Sequence, residues 1–268
     1  MLGKLRNETA CGLLSTLGNT RSLLPRARDV NPEIGLRNPR PHPRGKPHIV
    51  YTGPEMCGRY RRRSDKQRIA EAFQVGADLA DLYLEPEDDV APGSMQPVVL
   101  TGNEGEREIA LMRWGFKLPD RHLFNARSEG IERSPFWKES FQQRRCIVPA
   151  DAIFEWSEPE RGKKKPKDEI AIPGREPFGM AGVWKLWKNP KTDQWERTFA
   201  VITGEPNQVM LPIHDRLTTI LDPRDYEEYL AVAQRPPVHL LRIPPAEKMR
   251  ATRVEEPRPS DPQMGLFE

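Results

Sequence analysis

The stretch Cys146-Ile147-Val148-Pro149-Ala150-Asp151-Ala152-Ile153-Phe154-Glu155-Trp156 carries two clear strand signals within a sequence of 268 residues. Its halves, Cys146–Pro149 and Ala152–Trp156, are short runs rich in apolar and aromatic residues, as is typical of strands. Many short strands that mostly do not alternate with helices predict an α+β fold, built on a mixed, largely antiparallel sheet with a barrel-like core. The other strand-like segments are Val98–Leu100, Ile109–Trp114, Ile170–Ile172, Phe178–Trp187 and Glu196–Thr203.

Three segments carry the start signals of short helices. Ser64-Asp65-Lys66-Gln67 resembles a capping box and predicts a helix over 64–74. Ser134-Pro135 has the residues preferred at an N-cap and a first helical position, so a second helix is expected to run to Gln143. Asp222-Pro223 predicts a third helix ending near Ala231.

The composition is that of a protein with a hydrophobic core. Hydrophobic residues make up 37% of the chain and charged residues 30%. No apolar run approaches the roughly 18–20 residues that span a bilayer, so no membrane partner is predicted. The formal net charge of +3 permits a polyanionic partner without requiring one.

The first 55 residues differ from the rest of the chain. They are rich in proline, arginine and asparagine and show no sustained helical or strand period, which predicts a disordered extension over 1–55. A folded domain is expected over 56–250 and a loose tail over 251–268. Because Met56 begins the ordered-looking sequence, a translation start assigned too far upstream explains the extension better than a transit peptide does.

The three cysteines, Cys11, Cys57 and Cys146, do not form a metal-binding or disulfide pattern. There is no Cys-x-x-Cys motif and the five histidines are scattered, so neither a structural zinc site nor another cofactor is predicted. A reducing, cytoplasmic compartment is expected, with nucleoid association if the protein is bacterial. We expect a monomer.

The segment Met56-Cys57-Gly58-Arg59-Tyr60 resembles the start of a protein, although it follows 55 other residues. Removal of everything before Cys57 would leave a free α-amine beside its thiol. Such a 1,2-aminothiol captures an aldehyde as an imine, and the thiol then closes a five-membered thiazolidine ring. Taken alone, however, an internal cysteine is more often a buried structural thiol.

Three further polar residues are candidates for chemistry. In an alternating strand Glu155 shares a face with Ile153, and apolar surroundings raise the pKa of a carboxyl toward the range useful for acid–base work. An outward-facing glutamate on a half-buried strand is the alternative. The tautomer of His214 can be fixed by Asp215 or another carboxylate, although, considered alone, His214 is more often a surface loop histidine. Asn125 follows an apolar run and can also serve simply to satisfy a turn.

The motifs in combination are far more specific than any one of them. Their order and spacing resemble those of the SRAP family, the SOS response-associated peptidases or abasic-site processing proteins, over about residues 56–250. The motifs that carry the resemblance are Cys57-Gly58-Arg59-Tyr60, Val90-Ala91-Pro92-Gly93, Trp114-Gly115, Asn125-Ala126-Arg127, Phe154-Glu155-Trp156 and His214-Asp215-Arg216.

The resemblance implies a single SRAP-like domain and a specific reaction. In that family the initiator methionine is removed to expose the cysteine, and the amine and thiol of that cysteine react with the ring-opened aldehyde of an abasic site in single-stranded DNA. The thiazolidine crosslink that results shields the lesion. Carried over by motif, Cys57 is the nucleophile and Asn125, Glu155 and His214 complete the active site, with peptidase-like release of the leader and lyase-like imine chemistry.

Binding of DNA is expected to depend on arginines and on one aromatic residue. Trp114 precedes a glycine and is a candidate for stacking on a base, with a core position at a strand end as the alternative. The runs Arg61–Arg63 and Arg161–Lys167 are expected to be solvated charges. The arginines that lie in or beside the motifs and can bind phosphates as bidentate donors are Arg59, Arg127, Arg133 and Arg216.

Three positions depart from the family pattern. Asp89 replaces the usual asparagine before Val90-Ala91-Pro92-Gly93, and its charge would repel phosphate. Leu217-Thr218 stands where the family usually has Met-Pro, which bears on the loop that holds His214. Ala152 replaces a common glycine, a change that we expect the packing to tolerate.

Two other functions fit the same residues less well. A general cysteine peptidase would pair Cys57 with His214 and would cleave added peptides. A noncatalytic module would bind intact single-stranded DNA in a salt-sensitive manner and form no covalent product.

Overall fold

The computed structural model describes residues 58–76, 79–162 and 164–255, and this part of the chain is dominated by short strands. Cys57 and the predicted extension and most of the predicted tail lie outside it. The strands are β1 (Arg59–Arg62), β2 (Glu87–Val90), β3 (Met95–Thr101), β4 (Arg107–Trp114), β5 (Phe116–Lys117), β6 (His122–Leu123), β7 (Asn125–Arg127), β8 (Arg145–Ala150), β9 (Ala152–Trp156), β10 (Lys167–Ala171), β11 (Phe178–Lys188), β12 (Trp195–Gly204), β13 (Leu217–Thr218) and β14 (Arg250–Arg253). The α-helices are α1 (Lys66–Phe73), α2 (Lys138–Gln143) and α3 (Tyr226–Leu230), and the 3-10 helices are Pro223–Asp225, Val238–Leu240 and Ala246–Lys248.

Two sheets contain most of the strands. The first has the order β14-β10-β9-β1-β2, and all of its pairings are antiparallel. The second has the order β11-β8-β3-β4-β12-β13, and β11 also pairs with β12, so that five strands close into a ring. Within the described chain only β4 and β7 run parallel to their partner β12. The predicted α+β fold with a mixed, largely antiparallel, barrel-like core is confirmed.

The core consists of two apolar clusters. One joins the first sheet to the closed strands and includes Tyr60, Ile153, Trp114 and Phe199. The other packs the helices against those strands through residues that include Phe73 of α1, Phe141 of α2 and Tyr229 of α3. Among the described residues no helix is long and apolar enough to cross a membrane.

The three predicted helices form, but they are shorter than expected. The N-cap of α1 is Asp65, whose carboxylate accepts a hydrogen bond from Arg68 N at 2.8 Å. The Ser64 hydroxyl does not cap the helix but donates to Asp151 at 2.6 Å. Regular α-helix in α2 begins only at Lys138, since the preceding residues form turns. The third helix divides into a 3-10 turn and α3.

Two expectations about charged segments were wrong. Arg62 is not solvated but only 2% exposed, and it donates to Glu87, Gln96 and backbone carbonyls around it. The predicted tail also begins too early, because Arg250–Arg253 pairs with β10 as an edge strand. Both β1 and β14 are short, begin and end with an arginine, and contain no apolar run that would mark a strand in the sequence.

Candidate functional site

The candidate site starts from the pairing of β1 with β9. Arg59 pairs with Phe154, Tyr60 with Ile153 and Arg61 with Ala152. Continuing this antiparallel register by one residue brings Gly58, the first described residue, level with Glu155. The strand pairing therefore directs the N-terminal end of β1 toward the buried carboxylate.

A single carboxylate fixes the other end of β1. Asp151 is buried and accepts hydrogen bonds from Arg63 N, from Ser64 N at 2.8 Å and from the Ser64 hydroxyl at 2.6 Å. Its own backbone N–H donates to Arg61 O at 2.8 Å. Asp151 precedes β9 directly, so this contact locks the register between β1 and β9.

Glu155 is only 3% exposed and lies in the middle of the first sheet. It lies on the same face of β9 as Ile153, which packs with Tyr60 in the core cluster. The opposite face carries Phe154, whose ring is covered by the Lys167 ammonium at 3.8 Å from its centroid. The glutamate thus faces the interior, as the strand alternation predicted, and the outward-facing alternative does not apply.

Asn125 is held by the closed strands. It is buried and starts β7, where it pairs with Val201 of β12. The carbonyl of the preceding residue, Phe124, accepts a hydrogen bond from Trp114 Nε1 at 2.9 Å. The backbone at Asn125 is therefore positioned by a strand on one side and by an indole on the other.

Trp114 lies in the core, 2% exposed. Its ring contacts those of Tyr60, Phe124 and Phe199, with centroid separations of 5.2, 6.0 and 6.3 Å. Because no face of the indole is open to a base, its burial contradicts the predicted stacking role and agrees with the alternative, a core residue at a strand end.

His214 follows a turn that ends on Met210 O, to which its backbone N–H donates at 2.9 Å. Arg216 N lies 2.9 Å from His214 Nδ1, and Arg216 O lies 3.3 Å from the same nitrogen. The Asp215 carboxylate lies 3.2 Å from the same Nδ1. The ring is mostly buried, which excludes the alternative of a freely solvated loop histidine.

Asn125, Glu155 and His214 lie at the border of one apolar cluster. Phe124, Ile153 and Ile213 each pack in or against the cluster that contains Tyr60 and Trp114. They are the immediate or next-nearest chain neighbours of Asn125, Glu155 and His214. Residues far apart in the sequence are thus brought to one region of the molecule, while Cys57 lies outside the described residues.

The four predicted phosphate-binding arginines have different surroundings. Arg127 and Arg133 are exposed, and Arg59 is partly exposed and pairs with Asp89 at 2.9 Å. Arg216 is mostly buried and makes a two-point ion pair with Glu129, at 2.5 and 2.8 Å. This contact lowers the pKa of the Glu129 carboxyl to about 2.

The departures from the family pattern have structural counterparts. Asp89 is the ion-pair partner of Arg59, and Lys167 Nζ also lies 3.8 Å from its carboxylate. Leu217-Thr218 forms β13 and pairs with the end of β12, so the segment after His214 is anchored in the second sheet. Ala152 is fully buried opposite Arg61 in β1.

Four residues beside the site gave no signal in the sequence: Asp151, Ser157, Asp168 and Arg253. Their partners are distant along the chain, so that only the strand pairing reveals them. Asp168, for example, accepts a hydrogen bond from Arg253 Nε at 2.8 Å across 85 residues.

Comparison with known proteins gives one consistent family. Residues 56–257 match the family model described as SOS response associated peptidase (SRAP). The abasic site processing protein YoqW of Bacillus subtilis is 29% identical over 224 residues, covering 78% of this chain and 98% of that protein. YoaM of the same organism, also named an abasic site processing protein, is 30% identical over 210 residues, covering 74% and 91%.

Solved structures share the fold. A protein from Bacteroides thetaiotaomicron superposes with a TM-score of 0.64 at 23% identity, covering 74% of this chain and 92% of that one. A phage-related protein from Bordetella bronchiseptica gives a TM-score of 0.61 at 25% identity, covering 75% and 95%. Each superposition covers about three quarters of this chain and more than nine-tenths of the solved structure.

Proposed function

Because this chain belongs to the SRAP family of SOS response associated peptidases, we propose that it processes abasic sites in single-stranded DNA by crosslinking itself to them. Its relatives YoqW and YoaM are named abasic site processing proteins, and this chain spans more than nine-tenths of each. A DNA substrate also agrees with a cytoplasmic or nucleoid location.

The proposed reaction requires Cys57 as the N-terminal residue. Hydrolysis of the Met56–Cys57 peptide bond consumes one water and exposes the α-amine. The amine then attacks the aldehyde carbon of the opened abasic sugar, and loss of one water gives an imine. Addition of the thiol to that carbon, with transfer of its proton to nitrogen, closes the thiazolidine ring without a change in oxidation state.

Each polar residue is given a role in these steps. Glu155 supplies and accepts protons during release of the leader and departure of water, since a buried carboxyl suits that exchange. His214 assists opening of the sugar and imine formation through its imidazole ring. Asn125 orients the Cys57 terminus or the sugar by hydrogen bonding.

The observation that carries the proposal is the position of Glu155. It is buried in the first sheet and level with Gly58 in the β1–β9 register. The α-carbon of the residue before Gly58 lies about 3.8 Å from the α-carbon of Gly58, because one peptide unit joins them. A cysteine terminus at this end of β1 is therefore within reach of a carboxylate that the sheet holds in place.

Binding of the DNA backbone is assigned to Arg59, Arg127 and Arg133, which retain exposed surface. Arg216 is assigned a structural role, because its ion pair with Glu129 links the His214 segment to the residues that follow β7. Trp114 is not part of this surface.

The test uses a single-stranded oligonucleotide with one abasic site and protein produced from Met56 onward. After incubation and denaturation, the crosslinked fraction is measured on a gel as a function of time. Cys57→Ser is expected to form no product, and Glu155→Gln to slow product formation by about 10²-fold, the usual contribution of a general acid–base group. Glu158→Gln, an exposed glutamate just beyond β9, is the matched control and is expected to react normally.

Two results would count against the proposal. Failure of a chain shown to begin at Cys57 to form any covalent product would refute the crosslinking function. A normal rate for Glu155→Gln would remove Glu155 from the mechanism and leave the other residues to be tested.

A further inference from the structure

A second buried carboxylate lies directly opposite Glu155. In the pairing of β9 with β10, Asp168 is the cross-strand partner of Glu155, and in the pairing of β10 with β14 it is the partner of Arg253. Cross-strand partners project from the same face of a sheet, with their Cβ atoms about 4.5–5.5 Å apart. Glu155, Asp168 and Arg253 therefore form a row across three strands.

Asp168 is 5% exposed and has the partners that an ionised carboxylate needs. Arg253 Nε donates to one of its oxygens at 2.8 Å, and the Ser157 hydroxyl donates to the other at 3.0 Å. Arg253 Nη2 also lies 3.3 Å from Ser157 Oγ, which completes a closed network. The guanidinium and the hydroxyl thus hold the Asp168 carboxylate in a fixed position.

Two carboxylates so close in a buried site do not readily ionise together. Asp168 forms an ion pair with Arg253, and a negative charge on Asp168 disfavours a second one on its cross-strand partner Glu155. We propose that Asp168, fixed by Arg253 and Ser157, is a positioning residue that keeps Glu155 protonated and hence ready to act as an acid. The effect of Asp168 on the protonation of Glu155 does not depend on the proposed function, whereas its effect on the crosslinking rate does.

Other charged or titratable groups lie on the elements that neighbour Glu155. On β1, Tyr60 shares the inner face, and burial raises the pKa of its phenol so that it stays neutral. Further along the same strand, Arg62 is paired with Glu87. His214 approaches the same apolar cluster through Ile213. Within the described chain, Asp168 is the carboxylate paired directly across from Glu155.

The direct test is a pH titration of the Glu155 carboxyl by carbon-13 NMR in the full chain, with its signal assigned by Glu155→Gln. Asp168→Asn preserves size and removes the charge, and it is expected to lower the titration midpoint by about one pH unit. Arg253→Gln removes the balancing cation and is expected to raise the midpoint of the coupled pair. Asp193→Asn, an exposed carboxylate in the β11–β12 turn, is the control for a change in net charge.

The crosslinking rate gives a second readout. The limb of the pH profile that falls as pH rises is expected to move to lower pH in Asp168→Asn and to higher pH in Arg253→Gln, with little change in affinity for DNA. Circular dichroism and urea unfolding of each variant identify any loss of folding.

Each result distinguishes the two proposals. An unchanged Glu155 midpoint in a folded Asp168→Asn protein overturns this inference, whether or not the chain crosslinks DNA. A shifted midpoint in a protein that never crosslinks supports the inference and refutes the proposed function.

Discussion

Replacement of Asp151 by alanine is expected to destabilise the protein strongly, because one carboxylate satisfies three donors. Arg63 N, Ser64 N and the Ser64 hydroxyl all donate to it. Each buried hydrogen bond contributes about 1 kcal/mol net, and a stranded buried donor costs about 1–3 kcal/mol. We therefore expect the free energy of unfolding to fall by about 3 kcal/mol.

Urea unfolding followed by tryptophan fluorescence measures this change. The midpoint should fall while the slope with denaturant stays the same, because the surface exposed on unfolding is unchanged. For a domain of this size the melting temperature is expected to fall by about 6–12 °C. Since Asp151 also fixes the register of β1 against β9, crosslinking by the folded fraction is expected to slow as well.

Asp88→Ala is the matched control for Asp151→Ala. Asp88 also contacts Arg63, at 2.6 Å, but through the side chain and at an exposed position. Exposed ion pairs contribute about 0–1 kcal/mol, so the control should unfold almost as the parent protein does. If Asp151→Ala cost no more than Asp88→Ala, the carboxylate would not be the element that fixes β1.

Three other variants test the charges around the site. Asp89→Asn releases Arg59, and the variant should bind single-stranded DNA more tightly. The slope of log K against log salt concentration should become steeper by about 0.7 for each cation freed. Fluorescence anisotropy across a salt series measures the affinity and the slope, and unchanged binding would exclude Arg59 from the DNA surface. Because Arg216 depresses the pKa of Glu129 from 4.5 to about 2, this pair should stabilise the fold above pH 4.5 and lose its effect as pH falls toward 2. Glu129→Gln should abolish that part of the pH dependence in urea unfolding, and an identical profile would contradict the pairing. Burial raises the pKa of the Cys146 thiol, so iodoacetamide should modify this thiol only after the protein unfolds. Peptide mass spectrometry measures the labelling, and rapid labelling of the native chain would contradict the burial.

The sequence was most informative where apolar residues dominate a segment. The strands β8, β9, β11 and β12 were predicted because continuous apolar runs distinguish buried strands from loops. By contrast, β1 and β14 each begin and end with an arginine, and their pairing with buried strands could not be inferred from local composition. Arg62 was mispredicted for the same reason, since its partners Glu87 and Gln96 come from other strands.

The candidate site followed the same division. Asn125, Glu155 and His214 were predicted as site residues because they occur in motifs with a known order, and their roles stay a prediction. The surrounding network was not, since Asp168 and Arg253 meet only through the register of β10 and β14. Trp114 shows the converse error: a tryptophan before a glycine is compatible with both a DNA contact and a core position, and burial decides between them.

The central claim is that the α-amine and thiol of Cys57 together capture the abasic aldehyde. It is tested most directly by intact-mass and peptide analysis of the product formed with abasic single-stranded DNA, comparing protein that begins at Cys57 with protein that retains residues 1–55. We predict one adduct, on the N-terminal Cys57 peptide, with the mass of both reactants less one water, and none with the longer protein. An adduct on a lysine, or equal yield from the chain that retains residues 1–55, would contradict the mechanism.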